Sequence, residues 1–261
     1  MSDDHRLPAD SALSSAQGVL TRTNWAALQH AYGPASDAPA MLIALLDTDQ
    51  GVRTKALGDL HGVLHHQNTI YGATVPTARY VAAILSDPRT MLPVDKIRGA
   101  FPGRMRAELL AWIGSVANEV TDAADAIHRQ YGFPLADHPP AVAMQEMRPL
   151  LFSVAVPYLH DVDRHVSEAA IAACIPLLDD VRLLQHHAVL VPMVRQVLGT
   201  SELWQHRERA IDALDAWDED SSELEGQRNP FLFCDTDLSP DNSSWRPGTS
   251  NTEGWTEDPP F

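Results

Sequence analysis

From Trp25 to Trp217 the apolar residues recur at intervals of three and four, and no run of strict alternation interrupts them. That spacing puts side chains on one face of a 3.6-residue helix, so the segment is expected to fold as helices that each bury one stripe. Val52, Ala56, Leu57, Leu60 and Leu64 share a face in this way, and Val166, Ala169, Ala170, Ala173 and Ile175 come close to sharing another. An all-α body with short turns follows.

Stacked helix pairs and a simple bundle give the same local periodicity, so a longer repeat has to decide between them. A proline near the start of an apolar helix recurs at Pro39, Pro76, Pro157 and Pro192, separated by 37, 81 and 35 residues. A second pattern recurs as Val52, Arg53, Ala56 and Leu57, then Val166, Ala170 and Ile171, then Arg207, Ala210 and Ile211. Its alanines at 170 and 210 are 40 apart, and those at 56 and 170 are 114 apart, close to three units. A period of roughly 35 to 40 residues suits a HEAT-like α-solenoid of about five stacked helix pairs, each burying its faces against its neighbours.

Both patterns have packing reasons. Proline fits the first turn of a helix, where its missing N–H costs nothing, although Pro157 and Pro192 follow apolar residues and are alternatively kinks. Small alanines let second helices approach closely. The repeat is obscured between Pro88 and Tyr131, where residues 88–103 interrupt it and 104–132 follow as one long helix or two short ones. An insertion in a solenoid falls on a loop, which here is a candidate contact.

Charge restricts the partners. The 261 residues carry 35 Asp plus Glu against 19 Lys plus Arg, a formal net charge of -16. Such a molecule repels phosphate backbones and attracts basic surfaces, so direct nucleic-acid binding is disfavoured and a basic protein partner is expected. Met1 to Leu13 has no apolar core and does not read as a signal peptide. No apolar run reaches the roughly 18 to 20 residues of a membrane span. Cys174 and Cys234 show no metal-ligand or CxxC spacing, which fits the reducing cytoplasm. No cofactor is implied, and the oligomeric state is left open.

Composition changes after Trp217, dividing the chain into a polar N-terminal segment (1–23), a HEAT-like helical repeat domain (24–217) and an acidic tail (218–261). The tail holds eleven acidic residues, two arginines and no lysine, and so carries -9 of the -16. It has too little aliphatic content for a core of its own. Pure solvation is one reading, but Phe231, Phe233, Trp245, Trp255 and Phe261 suit an anchoring role, because entropic tails are poor in large aromatics. The partner-binding candidates are Asp218, Glu219, Asp220, Glu223, Glu225, Phe231, Phe233, Asp235, Asp237, Trp245 and Trp255. The acids would steer a basic target and the aromatics fill its pockets.

Two motifs carry a resemblance. Trp25, Leu28, His30, Ala31, Tyr32, Gly33 and Ala35, followed by His66, Gln67, Thr69, Tyr71, Ala73 and Thr74, resemble the W-x-x-L-x-H-A-Y-G-x-A opening and H-Q-G-T-x-Y-x-A-T turn of an actinobacterial-type family of HEAT-like repeat proteins. The resemblance covers about residues 24–87, and the rest of the body is similar only as generic repeats. Asn68 stands where the family has glycine, which asparagine imitates by tolerating left-handed backbone. The resemblance implies an α-solenoid and a binding role, in some members similar to immunity proteins of bacterial toxin systems.

Several histidines invite a chemical reading. His61 and His65 have the i, i+4 spacing of a helical metal pair, but Gly62 stands where a zinc protease of the HExxH kind has its glutamate, and no third ligand is indicated. His160, Asp161, Asp163 and His165 are metal candidates within one turn, with a structural alternative in which Asp161 or Asp163 caps a helix starting near His165. His66, Gln67 and Tyr71 have a structural use as well, closing the end of a helix near His66. No GxSxG elbow or glycine-rich phosphate loop occurs, and no Ser-His-Asp or Cys-His arrangement can be proposed.

Three functional readings follow. The first is a non-catalytic immunity protein or antitoxin that blocks a basic toxin enzyme, such as a nuclease. The second is a cytoplasmic scaffold or adaptor. The third is an enzyme, either a metal-dependent hydrolase using His160, Asp161 and His165 or a lyase on HEAT-like repeats. The last requires a basic DNA-binding face, which the net charge opposes.

Overall fold

The computed structural model describes residues 16–95 and 103–227, and 70% of these described residues are helical. The described residues hold eleven α-helices: α1 (Ala16–Arg22), α2 (Ala38–Ala44), α3 (Gln50–Gly62), α4 (Thr74–Ile84), α5 (Met105–Asn118), α6 (Asp122–Gln130), α7 (Pro139–Glu146), α8 (Arg148–Ala155), α9 (Arg164–Leu177), α10 (His187–Met193) and α11 (Trp204–Ala216). Two antiparallel hairpins of two-residue strands accompany them, β1 (Gln29–His30) with β2 (Gly33–Pro34), and β3 (Pro93–Val94) with β4 (Gly103–Arg104). The first hairpin lies within the opening motif, where its strands are too short to show a period in the sequence.

The packing has two layers. α1 packs on α4, and α4 on α7 and α8, while α5 packs on α9 and α9 on α11. α5 and α9 make the most extensive of these contacts, with Leu109, Trp112, Ile113, Val166, Ala170 and Ile171 in the core around them. Gly114 allows their closest approach, since a Cβ there would lie 2.9 Å from Ala173 Cα. At this point α5 and α9 meet backbone against backbone.

Recurring polar joints connect the layers. Asp49, Asp87, Asp163 and Asp180 each start a helix or 3-10 turn, their carboxylates accepting from Val52, Arg89, His165 and Arg182 N–H respectively. Arg89 and Arg182 also reach back to Asp87 and Asp180, and these hydrogen bonds hold both carboxyls below the usual range. Buried Arg53 donates to the Asp47 and Thr48 carbonyls, Arg106 to those of Leu85 and Asp87, and Arg207 to that of Ser201. Each arginine lies early in its helix and satisfies carbonyls that the preceding turn leaves open.

The four prolines divide into two groups. Pro39 and Pro76 sit in the first turns of α2 and α4. Pro157 lies instead in the 3-10 turn Val156–Tyr158 that ends α8, and Pro192 lies inside α10, just before a π-helical turn at Val194–Leu198. Missing N–H groups there make the helix end or change its winding.

The obscured region resolves into two helices, α5 and α6, broken at Glu119–Val120 and restarted by the Thr121 side chain accepting from Ala124 N–H. At the N-terminal side, α1 extends packing into the segment expected to be polar, burying Gly18 and Val19. At the other end the chain turns back on the body. Asp218 is left-handed (φ 57°), Glu219 N–H donates to Leu214 and Asp218 N–H to Asp215, a Schellman ending for α11. Ser221 and Leu224 are consequently buried, Leu224 beside Gly199. No helix of the described residues is long and apolar enough to cross a membrane.

Candidate functional site

Where α5, α9 and α11 lie side by side, a groove of about 330 Å³ opens between them. Its floor is Gly114, Ala169, Ala172 and Ala173, small residues where α5 and α9 pack closely. The rim is polar, with Ser115 and Asn118 from α5, Gln205, His206 and Arg209 from α11, Glu119 at the end of α5, and Asn68 from the turn after α3.

Asn68 reaches the groove by an unusual backbone. Gln67 and Asn68 are consecutive left-handed residues (φ 48° and 58°), both exposed. Neither is glycine, so each position carries strain that the surrounding bonds must hold. Thr74 Oγ1 donates to the Leu64 carbonyl (2.6 Å) and accepts from Tyr71 N–H (2.9 Å), while Tyr71 OH donates to the His66 carbonyl at 3.5 Å. The second motif thus forms a braced turn, and Asn68 adopts the left-handed conformation that asparagine tolerates. The opening motif meets it there, with Tyr32 and His66 rings 5.5 Å apart, while His30 is held by Asp37 at 2.9 Å.

Electrostatics place the remaining side chains. Burial pushes the Glu168 carboxyl up, but hydrogen bonds from His206, Arg164 and Ser201 outweigh it and hold the group down to about 2. This buried carboxylate on α9 ties down the start of α11, with His206 Nδ1 at 3.4 Å, and so sets the groove edge. Burial raises Glu119 above the usual carboxylate range, against hydrogen bonding by Asn118 and the charge of His128. Burial likewise lowers Arg209, against the charge of Asp212. The chemical capacity of the groove is therefore a recessed cation, a half-buried carboxylate and several neutral donors and acceptors.

The residues singled out by sequence lie elsewhere, apart from the neighbouring braced turn. α3 ends at Gly62 and His65 has non-helical backbone, so His61 and His65 are not two positions on one helix face. His65 is buried edge-on to Trp112, ring centroids 6.2 Å apart, and burial followed by the charge of His61 lowers its pKa to about 4. Asp163 caps α9 and accepts from Arg104 at 3.3 Å, Asp161 accepts from Asp163 N–H, and His160 and His165 are exposed. Among the described residues no three His, Cys, Asp or Glu come together as a metal-holding group.

The tail candidates are only partly described. Arg195 lies 3.6 Å from Glu219 and donates to the Asp220 carbonyl, while the Asp220 side chain accepts from Ser222 N–H. Glu223 is exposed, and Glu225 falls in the 3-10 turn Ser222–Gln227. Phe231, Phe233, Asp235, Asp237, Trp245 and Trp255 lie outside the described residues. Sequence reasoning missed Ser115, Asn118, Glu119, Gln205 and Arg209; Ala169 and Ala173 on the apolar face of α9 were their only signal, because a small-residue face between packed helices is where a groove can open.

Comparison with known proteins adds no relative: no family model, no curated protein and no solved structure matches the chain.

Proposed function

We propose that the chain is a HEAT-like solenoid that binds another protein in the cytoplasm, and that it acts as an immunity protein or antitoxin by occluding a basic toxin enzyme such as a nuclease. The observation that carries this reading is the groove across α5, α9 and α11, polar at its rim and floored by small residues, in a chain of net charge -16. The acidic field raises the encounter rate with a basic partner, and the groove then holds a local segment of it. The motifs of residues 24–87 support the same architecture by building the braced turn that carries Asn68.

The test is direct inhibition of a basic toxin enzyme whose reading frame adjoins that of this chain. Purified together, the two are expected to form a stoichiometric complex with the enzyme inactive, and association is expected to slow as salt rises. Absence of a complex at micromolar concentrations of both proteins overturns the reading. A complex that leaves the enzyme active favours the scaffold reading instead. That alternative draws on Ile127 of α6 and on Tyr131 and Phe133 just after it, which are exposed and do not line the groove.

A further inference from the structure

The groove contains one cation and one carboxylate that are not paired with each other. Arg209 makes one long hydrogen bond, 3.4 Å to the Ala172 carbonyl, and the carboxylate acting on it is Asp212 of its own helix. Its planar fork of five N–H groups retains donors for a second planar acceptor. Glu119 lines the same groove at the end of α5, and no ion pair or hydrogen bond among the described residues joins it to Arg209. Two opposite charges therefore lie in the same groove at separate places, which is an arrangement complementary to a ligand carrying both signs.

The neutral groups indicate what joins those signs. Asn68, Asn118 and Gln205 offer carboxamides, which both donate and accept and so match the N–H and C=O of an extended peptide. The floor presents nothing larger than a methyl group at Gly114, Ala169, Ala172 and Ala173, leaving room for a main chain to lie against it. We infer that the groove binds an extended peptide segment of the partner, with an aspartate or glutamate side chain on Arg209 and a lysine or arginine on Glu119. This inference rests on the protein-binding reading and names the part of the partner that the groove holds.

The test is selection of a displayed library of random heptapeptides against the full chain and its variants. Wild type is expected to enrich peptides in which an acidic and a basic residue keep a fixed spacing. Arg209→Gln is expected to lose the acidic preference and to weaken the selected peptides by roughly ten- to a hundredfold, the range for a hydrogen bond to a charged group. Glu119→Gln is expected to lose the basic preference alone. Gln205→Ala, at an exposed position, guards against misfolding of the other variants and is expected to weaken all selected peptides by about fivefold without changing their charges. Enrichment of peptides with no charge pattern, or with a pattern unchanged in Arg209→Gln and Glu119→Gln, overturns the inference and leaves the protein-binding reading standing. Enrichment of nothing overturns it too, while complex formation with the toxin enzyme judges that reading independently.

Discussion

α5 and α6 follow each other in the chain and satisfy their chemistry in opposite ways. α5 buries Met105, Leu109, Leu110, Trp112, Ile113, Val116 and Ala117, lacks a side-chain cap, and depends on α9 for its place. α6 buries none of its residues. Apart from Asp122 N–H donating to Asp179 at 2.9 Å, local interactions define it: Thr121 caps its start, Asp122 and Asp125 precede His128 and Arg129 in the order the helix dipole favours, and Arg129 bonds Asp125 at 2.6 Å. Gly132, at φ 82°, closes its end with Phe133 N–H donating to His128 and Gly132 N–H to Arg129. Tertiary packing fixes one helix and sequence-local bonds define the next, so the same kind of substitution should have very different consequences in the two.

The largest effect should come from Trp112→Ala. Trp112 is fully buried, and its removal leaves a cavity between the layers, so a loss of about 3–5 kcal/mol is expected in urea unfolding. A loss below about 1 kcal/mol would show that α5 is not the packing centre and would break the comparison. The second effect concerns His65, which packs on Trp112 with Nε2 unpartnered. Its folded pKa of about 4 lies below the ordinary 6.5, so the unfolded chain binds the proton first. Its contribution is complete above about pH 6.5 and is lost as pH falls toward 4, by on the order of 3 kcal/mol. His65→Phe should flatten stability over that window, and an unchanged slope would place the acid sensitivity in another group.

Gly114→Val tests the contact between α5 and α9 without removing core volume. The nearest obstacle is the Ala173 backbone, which cannot rotate aside, so a loss of about 1–3 kcal/mol is expected by thermal unfolding. The same change should shift the groove floor and weaken the peptides selected by the wild-type chain. Unchanged stability and binding together would mean that close approach at Gly114 does not shape the groove.

The contrast also explains what was readable in the sequence. Helical periodicity revealed the all-α body because burial of one face leaves a regular trace, and Asp163 was readable as a cap because its function is local. Left-handed backbone was readable at Asn68 because asparagine tolerates it better than most residues, while Gln67 beside it gave no such signal. Val52 was placed on the buried face of α3 yet is 40% exposed, since a helix start lies at the edge of the packed surface. The end of α3 at Gly62 was missed because Val63 and Leu64 continue the apolar pattern while the backbone leaves it. Arg209 and Glu119 left no local trace, since their sharing one groove depends on how helices separated by many residues pack.

For α6 the expected effects are smaller and local. Thr121→Ala removes its cap and should destabilise the helix by about 1 kcal/mol. Hydrogen exchange should show faster opening of amides in 122–130 while global unfolding of the α5 and α9 core changes little. Equal acceleration in both helices would show that they unfold as one unit, and local bonding would no longer distinguish them.

The smallest stability change should come from replacing Ile127, Tyr131 and Phe133 together by serine. They are 57%, 74% and 73% exposed, so they make little use of the hydrophobic contacts that stabilise the body. Removing them is expected to alter global stability by no more than about 0.5 kcal/mol, measured by urea unfolding. This contrasts with Trp112→Ala, in which one substitution removes a fully buried ring. A loss above about 1 kcal/mol would show that α6 packs against the body as α5 does and would end the comparison. With stability unchanged, loss of partner affinity would identify α6 as a contact surface, while unchanged affinity would confine recognition to other surfaces, including the groove.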